Sequence, residues 1–363
     1  MQELTYAIVG CGGVIATSHL SALKQVPGAK LVALTDVKRN PGQQRAAEAE
    51  CDFFTDYRKM LAKKKPDVVV VCTPHPLHAQ IAIDSVVAGA HVLVEKPIAI
   101  SVGEADAMIK AAQKAKRWLA VSFQQRYRPV IQKAKALVDA GELGPLVRVF
   151  SVEPWFRTAA YYKMGAWRAT WKGEGGGVLM NQSPHTLDMV CYLAGQPTKV
   201  WGWTRTLGHK IEVEDTFQAM LEFKNGAPGY ITASTFESSI EKRLQLVGEK
   251  AVIDIIGETV TIHRFSQPLR QFLRECKEPF KAPDRTTETL DLPDTSGGHV
   301  AAHLDLRDAI LNNCPPAITG EEARNGLELA NAIIMSGHNN GKPVTLPLSR
   351  PAYAKLLAQL QNQ

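Results

Sequence analysis

A lysine and a glutamate directly follow a short apolar run in the first third of the chain. Residues 91–94 read HVLV, and Glu95, Lys96 and Pro97 come next. Open α/β sheets bind their ligands at the carboxyl ends of their strands, so a lysine at such an end is placed for chemistry. Partial removal from water would lower its pKa from about 10.4 and let it act as a base, although Glu95 favours the charged form. The alternative is a Lys96–Glu95 ion pair on the surface.

A second polar group lies in residues 173–195, GEGGGVLMNQSPHTLDMVCYLAG. Asn181, His185 and Asp188 are spaced i, i+4 and i+7, which predicts one helical face. Because proline is tolerated in the first turn of a helix, Pro184 places Asn181 at the helix mouth and His185 in the first turn. Asp188 is interpreted as orienting His185 or the helix. The alternatives are a structural histidine and a surface acid.

Aromatic residues and arginines are concentrated between these two groups, although only 7% of the chain is aromatic. Aromatic faces beside planar guanidinium groups suit a carbohydrate or another polyhydroxylated ring. The alternative is an aromatic core with arginines at its edge. The predicted substrate-binding residues are Arg126, Trp155, Arg157, Tyr161, Trp167, Arg168 and Asp188.

Strand and helix patterns alternate through the first 122 residues. Ser101 and Glu104 form a capping-box signature for a helix over 101–117. Strands that alternate with helices of this length predict βαβ units and a parallel sheet. The predicted strands are Leu4–Val9, Lys30–Thr35, Asp67–Cys72, His91–Glu95 and Trp118–Ser122.

A glycine-rich turn follows the first strand. Gly10-x-Gly12 allows a tight turn and close approach of a pyrophosphate to the next helix, although Ile15 stands at the third glycine position of the usual pattern. Asp36 ends the second strand, 24 residues beyond Gly12, where a carboxylate accepts hydrogen bonds from a ribose and repels a 2′-phosphate. We therefore predict a Rossmann dinucleotide-binding domain that favours NAD, with NADP possible because Lys38 and Arg39 are close.

Motifs at the carboxyl ends of other strands fall at the same edge of the sheet. CTPHPLH (72–78) and EKP (95–97) are therefore expected beside the cofactor. The predicted cofactor-binding residues are Gly10, Cys11, Gly12, Gly13, Val14, Ile15, Asp36, Thr73, Pro74, His75, His78, Glu95, Lys96 and Gln124.

Bulk composition is that of an ordinary globular protein. The 363 residues carry a net charge of +6, and the single basic run, 63–65, has no interleaved aromatics, which argues against nucleic-acid binding. Six cysteines without CxxC spacing argue against a disulfide framework or a structural zinc site, so no metal is predicted. No signal peptide and no membrane span are recognised, and we expect a cytoplasmic protein.

The remaining sequence predicts an α+β domain with a large, mostly antiparallel sheet. Asn225-Gly226 is a hairpin turn, and the polar stretch 267–298 is expected to be a loop near the site. Domain limits are placed at 1–122 and 123–363. The predicted strands are Leu146–Val152, Lys199–Leu207, Thr216–Phe223, Gly229–Thr235, Arg243–Val247, Ala251–Ile256 and Glu258–Arg264, and the predicted helices are His299–Asn312, Glu321–His338 and Pro351–Gln363.

The chain resembles the glucose–fructose oxidoreductase/inositol dehydrogenase (Gfo/Idh/MocA) family. The resemblance rests on residues 10–23, 72–101 and 175–195 and on the closing segment ITGEEARNGLELANAIIMSGHNNGKPVTLPL. It implies that Lys96 and His185 are the catalytic pair and that the second domain's open sheet builds homodimers or homotetramers. It also implies hydride transfer between NAD and a secondary hydroxyl of a carbohydrate-like substrate.

One position departs from many inositol-dehydrogenase-like members, which have aspartate where this chain has Asn181. An amide cannot take a proton, so acid–base work passes to Lys96 or His185, and Asn181 would help to steady the oxyanion. The pattern resembles the branch acting on sugars and nucleotide-sugar acids. Two alternatives remain, a redox-neutral NAD-dependent glycosidase and a non-catalytic NAD-sensing regulator.

Overall fold

The first sheet is parallel and six-stranded, with strand order β3-β2-β1-β4-β5-β6. The protein is described from a computed structural model that covers residues 2–238 and 241–362. Strands β4 and β5 are short, and apart from His91 they are apolar, as expected of strands covered on both faces. The strands are β1 Leu4–Val9, β2 Ala29–Thr35, β3 Asp52–Phe54, β4 Val68–Val71, β5 His91–Val94 and β6 Leu119–Val121.

Helices cover both faces of this sheet, and the strand order reverses between β1 and β4, since the chain moves outward from β1 to β3 and then crosses back to β4. Such a reversal opens a crevice at the carboxyl ends of the strands, where nucleotides bind. Ser101 accepts a hydrogen bond from the Glu104 N–H at 3.3 Å and caps α5, as its capping-box signature predicts. The helices are α1 Val14–Leu23, α2 Arg39–Glu48, α3 Tyr57–Lys64, α4 His78–Val87 and α5 Val102–Ala115.

The second sheet has nine strands in the order β14-β13-β12-β11-β7-β10-β9-β8-β15. Only β7 and β10 pair in parallel, so the prediction of a mostly antiparallel sheet is confirmed. The strands are β7 Leu146–Pro154, β8 Lys199–Arg205, β9 Thr216–Glu222, β10 Pro228–Ser234, β11 Arg243–Gly248, β12 Ala251–Ile256, β13 Thr259–Phe265, β14 Arg285–Asp291 and β15 Val344–Thr345.

Helices pack on one face of this second sheet and leave the other face open. Trp203 and Met220 are 39% and 59% exposed on the open face. The assembly of dimers or tetramers through this sheet stays a prediction. The helices are α6 Pro129–Asp139, α7 Ala159–Tyr162, α8 Trp171–Glu174, α9 Val178–Asn181, α10 Pro184–Ala194, α11 Leu269–Glu275, α12 His299–Leu311, α13 Gly320–Gly337 and α14 Arg350–Leu360.

The expected loop over 267–298 is the clearest correction to the sequence-based prediction. It contains helix α11 and strand β14, which pairs with β13 from Thr259↔Asp291 to Phe265↔Arg285. Strand β14 reads RTTETLD and is exposed over nearly its whole length. An edge strand with no buried face shows no alternation of apolar and polar residues, which is why the pattern did not reveal it.

The chain returns to the first sheet near its C-terminal end. Helix α12 packs against α1, and Val121 donates a backbone hydrogen bond to the Ile318 carbonyl at 3.3 Å beside an isolated bridge between Ala120 and Thr319. The domain limits at 122/123 stay a prediction, but residues beyond 298 contribute to the N-terminal half. No helix among the described residues is long and apolar enough to cross a membrane.

Candidate active site

The glycine turn between β1 and α1 lies in close contact with the backbone that follows β4. Gly10 has φ +89°, and a Cβ built there would lie 2.8 Å from the Cys72 carbonyl and the Thr73 nitrogen. A Cβ on Gly12 would lie 2.8 Å from a carboxylate oxygen of Asp36. Gly13 precedes α1 and offers no side-chain cap, so the first N–H groups of α1 are available to an anion.

Asp36 lies where the sequence places it, at the end of β2. Its carboxylate accepts hydrogen bonds from the N–H groups of Gly12 at 2.7 Å and Lys38 at 2.9 Å. Arg45, from α2, donates to the carbonyls of Cys11 and of Gly13, the latter at 2.8 Å. The sequence analysis missed Arg45, because it lies on a helix beyond the motif. Together these contacts fix the turn.

Three buried polar atoms on the same edge have no hydrogen-bond partner among the described residues. They are the hydroxyls of Thr73 and Ser122 and the side-chain carbonyl of Gln124. Buried polar groups are almost always satisfied, so orphans grouped at strand ends are suited to a polar ligand. With the glycine turn and Asp36, they fit a dinucleotide that lies across the carboxyl ends of the strands.

The rest of the 73–78 motif is held by main-chain carbonyls. The two ring nitrogens of His78 lie 2.9 Å from the Pro97 carbonyl and 2.8 Å from the Thr73 carbonyl. His75 faces the Glu174 carbonyl at 3.2 Å, and its ring packs edge-on against Trp167 at 5.7 Å. These histidines therefore join the edge of the first sheet formed by the carboxyl ends of its strands, which we call the cofactor edge, to the second domain. Their predicted contact with cofactor stays untested, as do those of Pro74, Val14 and Ile15.

Lys96 is partly buried, and it does not form the surface ion pair with Glu95. Its Nζ donates to the main-chain carbonyl of Asn181 at 2.7 Å, which links β5 to the second domain. Burial lowers the pKa of Lys96 below its ordinary value, and the carboxylates of Glu95 and Glu174 oppose that shift. A lysine shifted in this direction is better suited to accept a proton near neutral pH.

Glu95 is turned away from solvent into a cluster of histidines. Its Oε1 lies 2.9 Å from His19 and 3.3 Å from His299, and the second nitrogen of His19 lies 2.9 Å from His303. Burial alone would raise the pKa of Glu95, but these imidazoles hold it well below its ordinary value. Glu95 is therefore a carboxylate next to Lys96.

One arrangement of protons satisfies the hydrogen bonds of this cluster. His303 Nε2 donates to His19 Nδ1, and His19 Nε2 donates to Glu95, which leaves His303 Nδ1 and His299 Nε2 without a hydrogen-bond partner among the described residues. The ligand atoms of His19, Glu95 and His299 also lie within 4.8 Å of one another, a grouping that can hold a divalent metal. The sequence analysis named Glu95 and missed the three histidines.

His185 begins helix α10 behind Pro184, in the first turn as predicted. It is 5% exposed, its ring packs edge-on against Phe123 at 5.5 Å, and its Nδ1 has no partner among the described residues. Burial, with a contribution from the Lys96 charge, lowers the pKa of His185 to about 3. The imidazole is therefore neutral near pH 7, with a nitrogen open to a ligand.

Asn181 ends the separate short helix α9, so the expectation of one helical face with His185 and Asp188 is wrong. Pro184 cannot continue the preceding helix and starts a new one. The Asn181 amide donates to Glu174, and its carbonyl accepts from the Tyr161 hydroxyl at 3.1 Å. That amide is therefore held by neighbours from two directions.

The glycine segment before Asn181 is clamped by a buried carboxylate. Glu214 accepts hydrogen bonds from the N–H groups of Gly177 at 2.8 Å and Leu179 at 3.1 Å. A Cβ on Gly177 would lie 1.8 Å from the Glu214 carbonyl, which requires glycine there. Burial raises the pKa of Glu214 to about 7. Glu214 was missed because a lone glutamate carries no spacing signal.

Cations and aromatic rings alternate beside Lys96 in what we call the aromatic wall. Lys242 Nζ lies 2.9 Å from the centre of the Trp155 ring, and the guanidinium of Arg157 lies 5.4 Å from Trp155 and 5.1 Å from Tyr161. The guanidinium of Arg168 lies 4.5 Å from each of its two rings. In order, the aromatic wall is Lys242, Trp155, Arg157, Tyr161, Arg168 and Trp167.

Arg126 and Asp188 are paired with each other inside the protein. Two guanidinium nitrogens of Arg126 lie 2.7 and 2.6 Å from the carboxylate of Asp188, and a third contacts Glu322. They are 3% and 1% exposed. Their predicted contact with substrate stays untested, and the observed contacts tie helix α10 to α13.

A parallel sheet with a glycine turn, Asp36 and a partly buried lysine is typical of an NAD-binding oxidoreductase. The NAD-binding model of the GFO_IDH_MocA oxidoreductase family matches residues 4–123, and the family's C-terminal domain model matches residues 131–254. The chain belongs to this family, as the resemblance predicted.

Known relatives act on inositols and sugar derivatives. The chain is 27% identical to scyllo-inositol 2-dehydrogenase (NAD(+)) of Bacillus subtilis, over 96% of this chain and 98% of that protein. It is 25% identical to myo-inositol 2-dehydrogenase of Thermotoga maritima, over 90% and 93% of the two chains. The WlbA dehydrogenase of Bordetella pertussis, solved with NADH and UDP-GlcNAcA, superposes with a TM-score of 0.81 at 28% identity, over 96% and 100% of the two chains.

Proposed function

We propose that the protein oxidises a secondary hydroxyl of a sugar, inositol or sugar derivative and transfers the hydride to NAD. The observation that carries the proposal is Lys96, a partly buried lysine at the carboxyl end of β5 that contacts Asn181 from the second domain. It stands between the cofactor edge and the aromatic wall. The inositol and sugar-derivative dehydrogenases among the relatives support the same class of substrate.

Lys96 is proposed as the group that takes the hydroxyl proton. Burial moves the pKa of Lys96 down toward neutral pH, whereas burial moves the pKa of His185 to about 3, away from neutral pH. A proton acceptor works best when its pKa lies near the working pH, which favours Lys96 over His185. The neighbouring carboxylate of Glu95 stabilises the ammonium that results.

Neutral His185 and Asn181 are proposed to orient the hydroxyl and its oxygen. His185 Nδ1 is a buried nitrogen without a partner in the part of the chain that the structure describes, and the Asn181 amide is already fixed by Glu174 and Tyr161. Groups that are held in place before substrate arrives need no reorganisation as charge develops on the oxygen. Asn181 itself carries no proton during the reaction, so it positions rather than transfers.

The cofactor is proposed to bind along the glycine turn and the strand ends. Bound NAD supplies the hydride acceptor, and the N–H groups at the start of α1 hold its pyrophosphate. Asp36 receives the ribose hydroxyls, and Thr73 and Gln124 offer the buried polar atoms described above. The alcohol loses one hydride and one proton to become a ketone, and Lys96 receives the proton.

Replacing Lys96 with methionine tests the proposal. We expect turnover to fall by roughly two to four decades, because the proton acceptor is lost while the apolar stem is kept. NADH binding, measured by fluorescence titration, should change little. The assay follows reduced-nicotinamide absorbance with inositols, pyranoses, anhydrosugars and nucleotide-sugar acids, and Lys110→Met on the exposed side of α5 serves as the control.

Three outcomes would count against parts of this proposal. Full turnover in the Lys96→Met protein would remove Lys96 from the mechanism. A cleaved glycoside without net NADH would instead identify a redox-neutral glycosidase, and tight NAD binding with no turnover of any ring would favour a regulator. Product chromatography on the same reactions separates these cases.

A further inference from the structure

We infer that the aromatic wall contains an anion subsite centred on Arg157, so that the substrate carries a carboxylate on its ring. The inference rests on the proposed function, because it names the substrate class of the same site. It starts from the charges of the aromatic wall, whose three cations are Lys242, Arg157 and Arg168. Among the residues that the structure describes, these cations do not all have carboxylate partners.

The two outer cations of the aromatic wall are paired. Lys242 Nζ lies 2.8 Å from Glu153, whose side chain is 3% exposed, and Arg168 lies 3.7 Å from Glu174. Within the described ranges 2–238 and 241–362, no carboxylate is ion-paired with Arg157. Three positive groups therefore face two negative ones, and the unmatched charge is the central one.

Arg157 is held in a fixed position by its backbone. Its N–H donates to the Thr235 carbonyl at 2.8 Å, and its own carbonyl lies 2.9 Å from His209 Nε2. The other nitrogen of His209 lies 3.0 Å from Asp215, which is fully buried. A guanidinium mounted on a backbone that is fixed from both sides loses little freedom when it binds a ligand.

Arg157 Nη1 donates to the Phe156 carbonyl at 2.9 Å, so the stacked guanidinium keeps its Nε edge for a ligand. Trp155 and Tyr161 lie against the group, and Arg157 Nε is a buried donor without a partner within the described ranges. A planar guanidinium offers parallel N–H groups along its edge, which match the two oxygens of a carboxylate. A carboxylate is therefore the anion that this geometry fits.

The subsite lies beside the reacting groups. The charge of Lys242 acts on His185, and that of Lys96 acts on Glu153, so both ends of the Lys242–Glu153 pair are within electrostatic reach of the proposed catalytic residues. A ring bound with its hydroxyl at Lys96 can thus place a substituent against Arg157. The aromatic faces of the same wall cover the apolar face of the ring.

The test measures binding without turnover. Protein saturated with NADH is titrated calorimetrically with methyl glucuronide and its neutral twin methyl glucoside, and with the corresponding galacturonide and galactoside. Because an alcohol bound beside NADH cannot be oxidised, the readout does not depend on hydride transfer. We expect at least one acid to bind about tenfold more tightly than its neutral twin.

Two variants locate the effect. In Arg157→Gln the preference for the acid should fall to about onefold, because the acid loses more affinity than its neutral twin does. The matched control is Arg205→Gln on β8, whose guanidinium lies 4.9 Å from Trp203 outside the aromatic wall. It should leave the preference intact. Glucose 6-phosphate, titrated in parallel, separates a phosphate subsite from a carboxylate one.

The inference is overturned if every acid binds no better than its twin, if no acid binds, or if Arg157→Gln weakens both twins equally. Tighter binding of the phosphate than of any carboxylate would also overturn it. A protein that prefers acids but forms no NADH with any ring would refute the proposed oxidation and leave the subsite standing. A working dehydrogenase that ignores the acid group would do the reverse.

Discussion

The two sides of the candidate active site, the cofactor edge and the aromatic wall, are built from different chemical groups. The cofactor edge is made mainly of main-chain groups, with Gly10 and Gly12 in close contact with neighbouring backbone and with Asp36. The aromatic wall is made of side chains that hold one another through stacking and through the Tyr161 hydroxyl. A single added methyl group should therefore disrupt the cofactor edge, whereas a single substitution in the aromatic wall should cause only a partial loss of function.

The two sides also differ in how freely their residues can be substituted. Backbone N–H groups are the same in every chain that makes the turn, so the cofactor edge serves one ligand class. The aromatic wall can change one ring or cation without changing the main chain around it. Substrate choice is therefore expected to depend on the aromatic wall and cofactor choice on the glycine turn.

The largest effect is expected from Gly10→Ala. The new Cβ would lie 2.8 Å from the Cys72 carbonyl at a φ of +89°, so the turn must move. We expect NADH affinity, measured by fluorescence titration, to fall at least about 100-fold, or about 2.7 kcal/mol.

The control separates backbone strain from crowding. Gly226 has φ +82° and nothing within 4 Å of a built Cβ. Gly226→Ala should reduce stability by about 1 kcal/mol and leave NADH affinity unchanged. Equal loss of NADH affinity in both variants would refute the crowding argument.

A smaller effect is expected from Tyr161→Phe. The Tyr161 hydroxyl accepts from Arg168 at 2.7 Å and from Gln182 at 3.0 Å, and it donates to Asn181 at 3.1 Å. Its removal keeps the ring but takes away the donor to the Asn181 side-chain oxygen, while Glu174 still holds the amide nitrogen. We expect kcat to fall about tenfold, or 1.4 kcal/mol, with NADH affinity unchanged.

The neighbouring tyrosine provides the matched control for that experiment. Tyr162 bonds to the Thr235 hydroxyl at 2.7 Å instead of to Asn181. Tyr162→Phe should therefore keep kcat within about twofold, because the lost bond lies outside the Asn181 network. A Tyr162 variant as impaired as the Tyr161 variant would show that the defect is general packing.

The smallest effect per step is a pH dependence of stability. Burial lowers the pKa of His185 to about 3, whereas an unfolded histidine titrates near about 6.5. Between these values the unfolded chain binds a proton that the folded chain does not. The contribution of His185 to the free energy of unfolding is therefore fully present above about pH 6.5. It is lost as the pH falls toward about 3, by up to about 1.4 kcal/mol per pH unit.

Urea unfolding midpoints at about pH 7, 6 and 5 measure this loss. In His185→Gln the midpoint should depend less steeply on pH than in the wild type, by about one proton's share. His263→Gln, on strand β13 with a hydrogen bond to Thr287 at 2.8 Å, is the comparison. Identical pH profiles for the wild type and His185→Gln would contradict the buried, neutral state of His185.

The sequence predicted the fold class and the local motifs well. The βαβ alternation, the glycine turn, the capped helix α5 and the first-turn position of His185 are confirmed, because each depends on residues close together in sequence. Strand β14 was missed because an exposed edge strand has no apolar face to reveal it.

The contacts that complete the site join distant segments, and no spacing rule reports them. His19 and His299 meet at Glu95, Glu214 clamps Gly177, and Lys242 stacks on Trp155. In the sequence, the alternating cations and rings of the aromatic wall were visible only as a segment rich in aromatic residues and arginines. Its order in space depends on tertiary packing between β7, the 155–171 segment and residue 242.

The return of helix α12 to the first sheet limits how this enzyme can be recombined with its relatives. A chimera joined at residue 122 would keep His19 and Glu95 from one parent and take His299 and His303 from the other. Both parents must therefore agree on these four positions for Glu95 to stay ionised and paired. The two halves of such a chimera should therefore come from parents that share the four residues of the histidine cluster.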